Sequence, residues 1–172
     1  MLITEITRNI AHESIEHLHV DLLELEWYEA NKRIQRKVSN DGTDLALRFL
    51  KEGQCLRDGD ILYQDQQKVI VVHIKPCEAI VLKPKTMQEM GTVCYEIGNK
   101  HMPLFIQGDL ILMTFEAPMY KWLEASGYAP WRAKHQLLNL LKSNVAPHQH
   151  SESTSLFNKI IAMASNLSKD DE

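Results

Sequence analysis

The sequence predicts an α+β fold in three parts: a small all-β domain over residues 1–75, a ferredoxin-like βαββαβ domain over 76–145 and a flexible C-terminal tail over 146–172. Three observations support this prediction. Short runs of alternating or β-branched residues, separated by turn signals, fill the first part. After Lys75-Pro76, two stretches with helical periodicity are interleaved with strands. From Ala146 onward the sequence is polar and rich in serine, with no clear partner for its few apolar residues.

In the first domain, strands are predicted on either side of two turns. Residues 34–38 lead into Asn40-Asp41-Gly42, a strong hairpin signal, and apolar residues then alternate with other residues over 45–49. Asp58-Gly59-Asp60 marks the second turn. The strands predicted after it are 61–63 and 68–74.

The second domain opens with a strand and a helix. The strand is predicted over residues 78–83, and apolar residues at helical spacing follow from Met87 to Ile97. We assign Met87 and Met90 to the buried face of this helix. Gly98 is assigned to the left-handed position that ends it, because glycine adopts that conformation without steric cost.

A hairpin, a second helix and a last strand complete this domain. Gln107-Gly108-Asp109 is a compact hairpin connection. Pro118 lies in the first turn of a helix that runs to about Ser126 and is ended by Gly127. The strands predicted here are 104–106, 110–115 and 132–141.

Composition narrows the class of protein. The chain has 172 residues, 44% of them hydrophobic, and a formal charge of −4, so no overall charge attracts it to nucleic acid or to an acidic membrane. No apolar stretch approaches the ~20 residues that span a bilayer, and the N-terminus lacks the features of a signal peptide. Three cysteines without Cys-x-x-Cys spacing predict reduced thiols in a cytoplasmic protein.

Histidines supply the most informative candidate site. His101 follows the first predicted helix of the second domain, and His148 and His150 lie in the tail. Neutral imidazole is the side chain best suited to nickel, copper and zinc. The spacing of His17 and His19 can chelate a metal, but we interpret them as edge-strand residues. The remaining candidates, His73 and His135, are interpreted as sheet residues.

The run from Cys94 to His101, Cys-Tyr-Glu-Ile-Gly-Asn-Lys-His, resembles the signature of the UreE family of urease accessory nickel chaperones. In that family the motif usually reads Gly-Asn-Arg-His, so Lys100 departs from it while keeping the charge. Three further segments are similar to segments of the family and extend the resemblance over most of residues 20–150. They are Leu25-Glu26-Trp27-Tyr28-Glu29, Gly59-Asp60-Ile61-Leu62 and Phe115-Glu116-Ala117-Pro118.

The resemblance implies a homodimeric chaperone that delivers nickel to apo-urease. One imidazole cannot make a tight nickel site, and a twofold axis would bring His101 from both chains together. The tail would add His148 or His150 as ligands, and zinc is also accepted by such a site. The implied partners are the accessory GTPase of the urease system and the larger urease activation complex. The N-terminal domain is expected to contact partners or peptides.

Two other classes of function compete with this prediction. An RNA-binding or protein-adaptor module is possible because βαββαβ is also the element order of RNA-recognition domains, although the strands lack their aromatic and basic pattern. An enzyme is not expected, since no Ser-His-Asp set, activated cysteine or carboxylate pair stands out. The chain also has no phosphate-binding loop, so any GTP use would belong to a partner.

Overall fold

The computed structural model of the chain describes residues 1–6, 8–51 and 53–141. The first half is all-β apart from one short 3-10 turn at Ile10–His12. The predicted hairpin and the strands after the second turn are confirmed, each within a residue or two. The strands of this half are β1 (Leu2–Ile3), β2 (His19–Leu25), β3 (Ile34–Val38), β4 (Asp44–Arg48), β5 (Ile61–Gln64) and β6 (Lys68–Ile74).

These strands form two three-stranded sheets, in the orders β1-β4-β3 and β2-β6-β5. β3 and β4 pair as an antiparallel hairpin, with Gly42 in the turn at a positive φ of 86°. β2 pairs with β6 in parallel over seven residues each. Apolar residues that alternate along β2, β4 and β6 share one core between the two sheets. They include Leu23, Leu25, Leu45, Leu47, Ile70, Val72 and Ile74.

The second half confirms the predicted βαββαβ order. Its four strands form one antiparallel sheet in the order β10-β7-β9-β8, and the buried residues of both helices pack on one face of it. The proline of the second helix lies at its start, as expected. The elements are β7 (Cys77–Leu82), α1 (Met87–Asn99), β8 (Phe105–Gln107), β9 (Leu110–Thr114), α2 (Ala117–Ala125) and β10 (Trp131–His135).

The last strand is shorter than predicted, because β10 ends at His135 rather than at Leu141. The following residues, 136–141, form a crossing segment without regular structure, in which Asn139 has a positive φ of 60°. The side-chain amide of Gln107 donates hydrogen bonds to the backbone oxygens of Gln136 (2.8 Å) and Leu138 (3.4 Å). This side chain therefore satisfies carbonyls that a longer strand would have paired with a neighbour.

The crossing segment joins the two halves of the described chain. Leu138 packs against the core of the first half, while Leu137 packs against the sheet of the second. The Gln136 side-chain amide donates to the backbone oxygen of Ile74 at 2.7 Å. Trp27 from the first half also meets the ring of Phe105 edge to face, with centroids 5.3 Å apart. These contacts cover the sheet face that α1 and α2 leave open.

One assignment to the core is wrong. Met87 is 85% exposed, because it lies in the first turn of α1, on the side that faces away from the sheet. Met90 is partly buried and packs against the core as predicted. No helix among residues 1–6, 8–51 and 53–141 is long and apolar enough to cross a membrane.

Candidate metal centre at the end of helix α1

Helix α1 is anchored firmly at its start. The side chain of the N-cap Thr86 accepts a hydrogen bond from the Glu89 backbone at 3.1 Å, and a Glu89 carboxylate oxygen accepts one from the Lys85 backbone at 2.8 Å. Val93 and Ile97 are fully buried against the sheet. Capping and burial together hold the helix in place, so its C-terminal end presents the residues that follow in a defined position.

Helix α1 ends at Asn99, and the left-handed residue that follows its C-cap is His101 rather than Gly98. Gly98 remains within α1, and His101 takes the left-handed conformation, with φ at 55°. The His101 N–H bonds to the Gly98 carbonyl at 2.9 Å, and the Met102 N–H bonds to the Ile97 carbonyl at 3.4 Å. This pair of bonds defines a Schellman motif, and Met102 packs into the core that contains Ile97, the apolar contact that accompanies it. The prediction for Gly98 was wrong because the Ile97–Met102 contact sets the end of the helix.

Helix α2 ends in the same motif with the usual residue. Gly127 has φ at 83°, its N–H bonds to the Glu124 carbonyl at 3.0 Å, and the Tyr128 N–H bonds to the Leu123 carbonyl at 3.1 Å. Glycine is favoured there because any Cβ is strained at positive φ. The two helices of one domain thus end identically except that α1 has His101 where α2 has Gly127. A strained non-glycine residue is a pointer to function.

The imidazole of His101 is exposed. Within the described ranges, no side chain or backbone group forms a hydrogen bond or an ion pair with its ring. Both ring nitrogens are therefore available to solvent, to a metal ion or to a second chain. Its neighbour Lys100 points toward α2, where its ammonium lies 5.1 Å from the centroid of the Trp122 ring.

The other two predicted ligands, His148 and His150, lie outside the described residues. Within the part that is described, no group of three or more His, Cys, Asp or Glu side chains is placed to hold a metal ion. His101 is thus the one member of the predicted ligand set that the described structure contains. A site built on it needs further ligands from the tail or from another copy of the chain.

Four other histidines lie in strands or just before one. His17 precedes β2 in a turn, while His19 is the first residue of that strand, with its Nε2 2.7 Å from an Asp41 carboxylate oxygen. His73 lies in β6, with its Nδ1 3.5 Å from an Asp58 carboxylate oxygen. His135 is the last residue of β10. The interpretation of His73 and His135 as sheet residues is confirmed, and His19 lies on an edge strand as expected. The same interpretation of His17 is wrong, because β2 begins only at His19.

Cys77 in β7 and Cys94 in α1 are both half-buried. Burial raises the pKa of the Cys94 thiol, and burial together with the charge of Glu26 raises that of Cys77. Cys94 points its thiol at the sulfur of Met90 on the same helix, at 3.9 Å. Both thiols are therefore held in the protonated form, which is a poor nucleophile and a poor metal ligand.

Comparisons with a family model and with known proteins identify the same family. A family model described as the N-terminal domain of the UreE urease accessory protein matches residues 3–75. A urease accessory protein UreE from Flavobacterium johnsoniae is 54% identical over 164 residues, which cover 95% of this chain and 99% of that protein. The UreE of Acetivibrio thermocellus is 40% identical over 89% of this chain and 99% of its own length.

A third relative gives a similar match. The UreE of Actinobacillus pleuropneumoniae is 44% identical over 136 residues, which cover 79% of this chain and 73% of that protein. Identity of 40% or more, over nearly the full length of two of these relatives and 73% of the third, implies a shared fold and descent. The chain therefore belongs to the UreE family of urease accessory proteins.

Proposed function

We propose that this protein is a homodimeric nickel chaperone of the cytoplasm that delivers nickel to apo-urease during urease maturation. Its metal ligands are His101 from each protomer and His148 or His150 from the tails, and zinc is accepted by the same ligands. The partners that receive the metal are the accessory GTPase of the urease system and the urease activation complex. The cytoplasmic location is supported by Cys77 and Cys94, which are thiols, as expected in a reducing compartment.

The observation that carries the proposal is the identity of the residue in the left-handed position after α1. Glycine would be more stable there, as it is at Gly127 after α2, yet the chain has an exposed histidine whose ring is unengaged within the described ranges. Together with membership of the UreE family, this favours a ligand role for His101. A surface imidazole kept at the expense of backbone strain suits a metal-binding role better than a structural one.

A shared site fits the requirements of delivery. In a twofold dimer, each contact is repeated, so one exposed histidine per chain becomes a pair at the axis. A site of this kind is reached from solvent and is assembled from separate chain segments. It is therefore dismantled one ligand at a time, which allows the metal to pass to an acceptor.

The RNA-binding alternative is disfavoured by the packing of the sheet. RNA-recognition domains stack bases on aromatic residues of an open sheet face. Here the corresponding face contains Val81, Leu112 and Phe105, each no more than 1% exposed. Leu137 and Trp27 pack over them, so no base can reach these strands.

The direct test is a nickel titration of the full-length protein, followed by mass measurement of the intact complex. We expect an apo dimer that binds its tightest nickel ion at one per two chains. The variant with His148→Ala and His150→Ala should keep this ion with weaker affinity, because the axial pair of His101 side chains remains. A protein that stays monomeric, or that shows no nickel binding at micromolar concentration, would refute the proposal.

A further inference from the structure

Lys100 lies directly before the candidate ligand His101, and its side chain is held by a ring of the other helix. Its ammonium is 5.1 Å from the centroid of Trp122, within the range of a cation–π interaction. Trp122 is half-buried and packs against the core beneath both helices. The centroid of its ring lies 6.4 Å from that of the Tyr128 ring. The partner of Lys100 is therefore itself fixed in place.

The contact between Lys100 and Trp122 takes the place of an ion pair that Lys100 could form on the surface of its own helix. Glu96 precedes Lys100 by four residues, the spacing and order that favour a Glu–Lys pair on a helix surface. Within residues 1–6, 8–51 and 53–141, however, Lys100 forms no ion pair with Glu96 or any other carboxylate. An aromatic ring attracts the ammonium through its quadrupole and carries no net charge. The positive charge of Lys100 is therefore held in place without being neutralised.

We propose that the Lys100–Trp122 pair tunes metal release: it keeps an unneutralised positive charge beside the metal ligand His101, which weakens nickel binding and speeds nickel dissociation. The inference rests on the nickel site proposed above. A divalent cation bound at His101 is repelled by this charge, and in a twofold dimer both copies of Lys100 act on the same ion. A carrier benefits from such repulsion because it must give up its metal.

The expected size of the effect follows from Coulomb's law. In water-like surroundings, a unit charge within about 10 Å of a divalent ion changes its affinity about three- to tenfold. The effect should be largest at low ionic strength, because salt screens charges that are exposed to solvent. Replacing a residue that only supported the shape of the site would change nickel affinity in the opposite direction, because binding would become weaker.

The test measures nickel affinity by calorimetry and nickel dissociation by competition with a chelator, at low and high salt, on the full-length protein. Lys100→Met should tighten binding about three- to tenfold, mainly through slower dissociation, and the gain should shrink at high salt. Lys100→Arg and Trp122→Phe should behave like the wild type, because they retain a cation over a ring. Trp122→Leu should shift binding in the direction of Lys100→Met, because Lys100 is then free to pair with Glu96.

The controls separate this inference from the proposed function. If the wild type binds no nickel, the chaperone proposal fails and the role of Lys100 falls with it. If the wild type binds nickel but Lys100→Met binds equally or more weakly at low salt, the site stands and the inference is overturned. Thermal unfolding of each variant shows whether the helices remain packed, and Lys100→Met provides the answer even if Trp122→Leu is unstable.

Discussion

The left-handed backbone of His101 destabilises the fold relative to a glycine at this position, and the difference in stability can be measured. A non-glycine residue in the left-handed region is less stable than glycine by about 1 kcal/mol. His101→Gly should therefore leave the free energy of unfolding unchanged or raise it by up to about 1 kcal/mol, which corresponds to about 2–4 °C in Tm for a protein of this size. The same change should abolish the tightest nickel site.

Thermal unfolding and nickel calorimetry on the same samples check this prediction. Gly127→His is the matched control, because it introduces the same strain at the same position of the second helix and should lower stability without affecting nickel. Wild-type nickel affinity in His101→Gly would remove His101 from the site. A loss of cooperative unfolding would instead assign the histidine a structural role.

A second informative residue is Asp21, a carboxylate that is 1% exposed in the first half of the chain. Burial works to raise its pKa, but hydrogen bonds from Lys68, Ser39 and the Asp41 backbone outweigh burial and leave the pKa below its usual value of 3.8. The distances are 2.8 Å to the Lys68 ammonium and 2.6 Å to the Ser39 hydroxyl. These bonds tie the β3–β4 hairpin to the other sheet.

Replacing Asp21 with asparagine should destabilise the fold by about 3 kcal/mol at pH 7, because it leaves the buried side of this network without its anion. A carboxylate whose folded pKa is lowered stabilises the protein above its unfolded pKa, and this contribution is lost as the pH falls through the folded pKa. The wild type should therefore lose stability below about pH 5, and the acid limb of Asp21→Asn should be flatter.

Urea unfolding at a series of pH values measures both effects. Asp109→Asn is the control, because its ion pair with Lys83 is exposed on both sides and should contribute little. Equal stability of Asp21→Asn and wild type at pH 7 would show that the network adds nothing to the fold.

At the level of elements, α1 has a face that no described part of the chain covers. Met87 is 85% exposed and Tyr95 is 68% exposed on this helix. Gly91 and Gly98 are exposed on it as well, and a Cβ added at either would meet no atom within 4 Å. Small residues flanked by apolar ones allow a second helix to approach closely, and the face leads to His101. We expect the proposed homodimer to form partly through this face of α1.

Tyr95→Arg should therefore weaken the apo dimer, because it places a charge in an apolar contact between two chains. Sedimentation equilibrium without metal at micromolar concentration measures this directly. Ile34→Arg is the matched control, since Ile34 is 72% exposed but lies on β3 of the other half. A Tyr95→Arg protein that remains as dimeric as Ile34→Arg would place the interface elsewhere.

For the molecule as a whole, we predict from the boundary at residue 76 that the second domain folds without the first. A fragment of residues 76–172 should still dimerise and bind nickel, because α1, α2 and their sheet have a core of their own. It should be less stable than the full chain, because Phe105 loses Trp27, Leu138 loses its apolar neighbours and Gln136 loses the Ile74 carbonyl.

Circular dichroism, sedimentation and nickel titration of the fragment check this expectation. The matched comparison is Trp27→Ala in the full chain, which removes one of these contacts and leaves the others. A fragment that fails to fold would show that the two halves depend on one continuous core and that the boundary is wrong.

Local patterns were sufficient to predict most of the elements. The hairpin of β3 and β4 follows from Asn40-Asp41-Gly42 and the alternation around it. The end of α2 at Gly127 follows from glycine alone. The element order of the second half follows from the change between strand and helical periodicity, and His101 was identified because its motif resembles that of a family to which the chain proves to belong. These features depend on residues that are close in sequence, where steric preference and side-chain period act directly.

Contacts between distant residues determined the rest. The left-handed residue after α1 is His101 rather than Gly98 because Met102 packs into the core that contains Ile97 and its N–H bonds to the Ile97 carbonyl. β10 stops at His135 because the Gln107 amide satisfies carbonyls that follow. The covered face of the second sheet depends on Trp27, more than 70 residues away from Phe105 along the chain. Such features arise when long-range burial and hydrogen bonding outweigh local propensity by a kilocalorie or two, a balance that local sequence patterns do not contain.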